Sequence, residues 1–184
     1  LTVTDSNTNT YRQAVRLNVT ADSSRGGTLA IFYAENIRGG PNTVTVSDTV
    51  AGASLRLAIL EYSGVAITDS LEGGVAAQGT GTLPSSGSLT TTSDGSLLLG
   101  AVMSARSRTF TAGSGYVMQD RAPAAPNTNL ITEDWIQSVA GITSATASVE
   151  ASDNWGAALA AFRAAPPAPD LTLTETHSGS FVQG

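Results

Sequence analysis

The chain has no cysteine and no lysine, and its only histidine is His177. Without cysteine there are no disulfides, no thiolate nucleophile and no Cys-type metal site. Without lysine, Schiff-base chemistry, Lys-dependent phosphate loops and Lys–Asn isopeptide cross-links are excluded; all nine cations are Arg. A zinc site built around one imidazole would be nearly all carboxylate, against the usual ligand sets. A Ser–His–acid triad would have to use His177, and no Gly-x-Ser-x-Gly elbow frames a serine. Ser114 stands between two glycines and reads as a turn. Charged residues are only 13% of the chain, and the net charge is −6. Nine scattered Arg form no basic patch, so nucleic acid is disfavoured as a partner. No apolar run reaches transmembrane length, so membrane insertion is not expected. Absence of cysteine leaves secretion open, because a chain of 184 residues can bury a core without staples. The chain begins at Leu1, and a processed or trimmed chain is therefore expected.

What is present is Thr, Val, Ser, Ala and Gly, distributed as short apolar runs between turns. That composition suits strands better than helices. Residues 1–4 and 11–20 alternate around an Asp/Asn-rich turn and read as a hairpin. Residues 28–37 and 55–62 are apolar on both parities and read as central strands, with a turn signal at 38–42. The Gly-rich stretch 66–88 reads as the longest loop, with an edge strand as the reading for part of it. Further strands are expected at 89–92, 96–104, 109–121, 129–138 and 144–151. Residues 153–165 are ambiguous. Alanine favours helix, Asp153 would cap one, and Trp155, Leu159 and Phe162 would share a helical face. As a strand, the same residues put Ala157, Leu159 and Ala161 on one face and Ala158, Ala160 and Phe162 on the other. The surrounding β pattern favours the strand. About ten short strands without βαβ alternation predict an all-β chain, an antiparallel β-sandwich of jelly-roll type.

Several segments together carry a resemblance: Val3-Thr-Asp-Ser6, Ile31-Phe-Tyr-Ala-Glu-Asn-Ile37, Gly39-Gly-Pro-Asn42, Ile59-Leu-Glu-Tyr-Ser-Gly64, Gly113-Ser-Gly-Tyr116 and the stretch from Trp155 to Phe162. In this order they resemble a β-sandwich module of large secreted or surface-attached bacterial proteins, for which no activity is established. The resemblance spans 1–165 and implies an extracellular or cell-surface location. Such modules carry a further strand before Val3-Thr-Asp-Ser6. Residues 170–184 resemble the opening of a different bacterial surface β-repeat.

Three units are therefore expected: a sandwich at 1–165, a Pro-rich hinge at 166–169 with Pro166, Pro167 and Pro169, and an extension strand at 170–184. In that strand Leu171, Leu173, Phe181 and Val182 are the apolar positions, and a lone strand needs a sheet to join. The expected role is non-enzymatic: a subunit or segment of a surface fibre or filament, assembled by strand exchange with copies of itself or neighbouring β-domains. The alternative is a carbohydrate-binding or adhesive module, with Trp135 and Tyr116 as surface rings for glycans. Trp155 and Tyr33 read as core. Glu35, Glu61 and Glu133 lie in apolar contexts where a convergent pair would signal a glycosidase. Glu133 and Asp134, being adjacent, should face opposite ways. No cofactor is expected. Calcium is the one ion the turn aspartates would suit, weakly, since no Asp-x-Asp-x-Asp loop is present.

Overall fold

The computed structural model describes residues 1–20, 26–50 and 54–167. Every regular element among them is a strand: β1 (Thr2–Asp5), β2 (Arg12–Val19), β3 (Gly27–Tyr33), β4 (Val44–Ser47), β5 (Leu71–Gly81), β6 (Leu89–Thr90), β7 (Ser96–Arg108), β8 (Phe110–Ala112), β9 (Val117–Ala122), β10 (Thr128–Gln137), β11 (Ile142–Thr143), β12 (Ala147–Val149) and β13 (Asp153–Phe162). All pairings are antiparallel. The all-β antiparallel sandwich expected from the strand-and-turn pattern is the fold.

Its centre is a five-stranded sheet in the order β5-β13-β7-β10-β9. The two central strands read as apolar on both parities because both faces are covered. On one face, Leu97, Ala101, Ala158, Ala160 and Phe162 pack against Val19, Leu29 and Ile31 of the β2–β3 ladder. On the other face, Val102, Ile131 and Ala157 meet Phe110, Ala147 and Val149 of the β8–β12 ladder. Leu98, Leu159 and Ala161 lie beside them with Ala145 and Tyr116. The strand reading of 153–165 is thus the one that forms, with the alternation it required. Asp153, a helix cap by sequence, instead accepts hydrogen bonds from Arg108 Nε (2.9 Å) and the Arg106 N–H (3.0 Å). Alanine's helix propensity is overridden because small side chains let a covering layer approach a central strand. Gly156 shows how close that approach is: a Cβ there would lie 2.6 Å from Val19 Cγ2.

Four expectations are corrected. Residues 1–20 form no hairpin; β1 pairs with β4 and β2 with β3. Residues 28–37 are not a central strand: β3 ends at Tyr33 and belongs to the covering layer, where Tyr33 stacks edge-on against Phe162 at 5.4 Å. The 66–88 stretch is loop only in part, and the edge strand read for the rest of it is present. It contains β5, an eleven-residue edge strand whose glycines answer its neighbours. A Cβ on Gly74 would sit 2.9 Å from the Ala14 carbonyl oxygen, and one on Gly79 would sit 2.6 Å from the Trp155 ring. Finally, residues 55–62 form no strand and pair with no strand among the described residues.

Candidate functional site

Residues 54–62 are the first unusual feature. Leu55, Leu57 and Ile59 are 45, 46 and 59% exposed, although their sequence has the character of a buried strand. The segment is tied down at its end, where the Tyr62 hydroxyl donates to Asp134 Oδ2 at 2.7 Å. Burial and that carboxylate both raise the Tyr62 pKa. At its start, Ser54, Leu55 and Leu57 border an open groove against Ala122 and Pro123. Between these two contacts, residues 55–61 make no backbone hydrogen bond to the other described residues, which leaves their N–H and C=O groups without a described backbone partner.

The residues that follow β13 run beside the end of this segment. After β13, Val65 and Ala164 form an antiparallel bridge. Its two bonds run from the Ala66 N–H to the Arg163 carbonyl (2.9 Å) and from the Ala165 N–H to the Gly64 carbonyl (2.8 Å). In an antiparallel ladder such bonds recur at every second residue. The next positions at which this strand must donate an N–H, to the carbonyls of residues 62 and 60, are 167 and 169. Both are proline, which has no N–H to give. Pro166 and Pro167 are exposed. Pro169 and the apolar positions of the extension, Leu171, Leu173, Phe181 and Val182, lie outside the described residues, as does His177.

Glu133 is the second feature. It is fully buried on β10, opposite Gly100 of β7. Oε2 accepts from the Gly113 N–H at 3.0 Å, and Oε1 has no hydrogen-bond partner. Burial pushes the carboxyl up to about 7 against the pull of its backbone hydrogen bonds. The surrounding packing leaves no cleft: a Cβ on Gly100 would come within 2.9 Å of both Glu133 Cγ and Ala145 Cβ. Asp134 faces the other side of the sheet, as adjacent strand residues must, and accepts from Tyr62 and from Gln119 Nε2. Glu35 and Glu61 do not join Glu133. Glu35 is held by Ser70 and Arg12, and Glu61 is exposed. The glycosidase-like pair considered from sequence is therefore not assembled. Among the described residues, no three His, Asp or Glu come together to hold a metal.

The two aromatics expected at the surface separate. Trp135 is 37% exposed, but Tyr116 is buried at 8% and meets the Trp135 ring edge-on at 5.9 Å. Burial, with the Glu133 charge nearby, pushes the Tyr116 phenol up to about 12. Tyr116 is thus corrected from a ligand-facing ring to a support for Trp135, and no flat aromatic strip is formed by the pair. Trp155 is half-buried against the β8–β12 core, as its apolar run implied.

The third feature was not visible in the sequence. A polar cleft of about 340 Å³ opens between the turn after β1, the loop after β3 and the stretch before β5. Arg12, Glu35, Asn36 and Arg38 line it, along with Thr8 and Thr68. Read as sequence, residues 38–42 gave only a turn.

No family model, no curated protein and no solved structure matches this chain. The fold defines its class, an antiparallel β-sandwich, and the geometry above carries the functional reading.

Proposed function

We propose that this chain is a non-enzymatic structural module that builds a surface fibre or filament by β-strand exchange. Residues 170–182 of one copy add to the free edge at 54–62 of the next. The observation that carries this reading is the exposed strand-like sequence at 54–62, which pairs with no strand among the described residues and whose three large apolar side chains suit an added strand. The extension has the matching character, with Leu171 and Leu173 alternating with threonine. Prolines at 167 and 169 oppose continuation of the chain along its own 54–62 segment, which favours a neighbouring copy as the acceptor. Head-to-tail addition of this kind is heterologous and produces open filaments. An extracellular or cell-surface location is supported by the resemblance to modules of secreted and surface-attached bacterial proteins.

The absence of native cysteine gives a direct test. One batch of chain carries Leu57→Cys and a second carries Thr172→Cys. Mixed under oxidising conditions, they should form a disulfide-linked heterodimer in good yield, with little product from either batch alone. If the doubly substituted chain instead closes a bond within one monomer, or the mixture forms none, strand exchange at this edge is wrong.

A further inference from the structure

We propose that the polar cleft beside β2 is a binding site for a carboxylate-bearing saccharide, with the Arg38 guanidinium as its anion anchor. This inference stands apart from strand exchange, because none of the described residues lining the cleft belongs to 54–62.

The first argument is strain. Only three non-glycine residues with left-handed backbone geometry occur among the described residues: Thr8 (φ 59°), Asn36 (φ 47°) and Asp69 (φ 50°). Thr8 and Asn36 line the cleft, and Asp69 follows its Thr68. A β-branched residue in this region is a genuine outlier, and strained backbone gathers where surrounding structure holds a functional geometry.

The second argument is the bonding that holds the strained loops. Asp5 accepts hydrogen bonds from the Asn9 N–H (2.9 Å), Asn9 Nδ2 (2.6 Å), the Tyr11 hydroxyl (3.2 Å) and Asn42 Nδ2 (2.8 Å). Asn9 Oδ1 in turn accepts from the Arg38 N–H at 2.9 Å, which ties the two loops together. The cleft is thus organised before any ligand arrives, which lowers the ordering penalty on binding.

The third argument is charge. Arg12 is already matched: its Nη1 lies 3.0 Å from Glu35 Oε2, and Glu35 Oε1 is held by Ser70 N–H and O–H at 2.7 Å each. Arg38 has no carboxylate partner among the described residues. Among the described residues its side chain donates only to Thr8 Oγ1, at 3.2 Å, which engages one of the five donors of its planar fork. An uncompensated guanidinium flanked by hydroxyls and amides, with no aromatic platform, selects an anionic polyol over a neutral sugar.

The probes are trigalacturonate, its methyl ester and inorganic phosphate, titrated calorimetrically into the full chain at low salt. Trigalacturonate should bind saturably, and Arg38→Ala should weaken it about tenfold or more. Arg38 is exposed and its side chain makes a single hydrogen bond to the described residues, so circular dichroism of the variant should be unchanged. Arg38→Lys should recover part of the affinity, and the methyl ester should bind about as weakly as trigalacturonate binds the Arg38→Ala variant. The proposal is overturned by no saturable binding at roughly 10 mM, by equal binding of acid and ester, by phosphate binding more tightly than trigalacturonate, or by an Arg38→Ala affinity equal to that of the parent.

Discussion

The Ala165 N–H donates to the Gly64 carbonyl at 2.8 Å, and it is the last such bond of this strand among the described residues; the next two donor positions, 167 and 169, are proline. The two prolines at 167 and 169 fall on donor positions, while Pro166 falls on a position that needs no donor. Replacing both with alanine should let the ladder run on along residues 62 to 54 of the same chain. The Pro167→Ala, Pro169→Ala variant is expected to shift from oligomer towards monomer in sedimentation velocity. It should also gain amide protection at 58–62 in hydrogen exchange. Unchanged protection there would remove the proline argument.

Glu133 predicts a pH dependence of stability. Its folded pKa is raised from an ordinary 4.5 to about 7, so the folded state binds this proton more tightly than the unfolded chain does. The associated stability is fully present below about 4.5, is lost as pH rises towards 7, and does not return above it. A shift of this size corresponds to about 3 kcal/mol at most. The lowered carboxylates Asp5, Glu35 and Glu72 act in the opposite direction, and below this window. Thermal unfolding should therefore show a lower melting temperature at pH 8 than at pH 5.5. Glu133→Gln, which keeps the acceptor for Gly113, should flatten that difference and melt higher than the parent at pH 8. A parent profile flat between these values would contradict the buried-carboxyl assignment.

The close approach of layers predicts that glycines differ sharply in what they tolerate. A Cβ on Gly113 would lie 2.2 Å from the Thr146 carbonyl oxygen, a backbone atom that cannot step aside, whereas a Cβ on Gly39 meets nothing within 4 Å. Gly113→Ala should destabilise by about 3 kcal/mol or more, and Gly39→Ala by less than about 0.5 kcal/mol. Urea denaturation of the two variants reads this directly. Similar midpoints would mean that the β8–β12 ladder is looser than described.

How much of this was legible in the sequence differs by element. β7 and β10 were readable as strands from their short apolar runs between turns, and β13 only from the surrounding β pattern; Leu97/Leu98 and Ala157/Ala158 point to opposite cores because both faces are covered. The same signal misled at 28–37 and 55–62, since periodicity reports how apolar a segment is and not whether a partner strand exists. β5 was legible only in part because of its glycines, whose reason is long-range contact with Ala14 and Trp155. The opposed directions of Glu133 and Asp134 followed from the two-residue repeat alone. The burial of Tyr116 did not, because it depends on packing with Leu98, Ala145 and Leu159 and on the Trp135 ring meeting it edge-on. The cleft was invisible for the same reason: Thr8, Asn36 and Arg38 meet only when the turn after β1 closes on the loop after β3.

The most direct test of the central claim is sedimentation velocity of the full chain beside a chain ending at Pro167, each over a range of concentrations. Strand exchange predicts that the full chain forms a concentration-dependent ladder of head-to-tail oligomers. The shortened chain should stay monomeric at every concentration with its melting temperature unchanged. Identical association of the two chains would contradict the account, and so would a full chain that remains monomeric throughout.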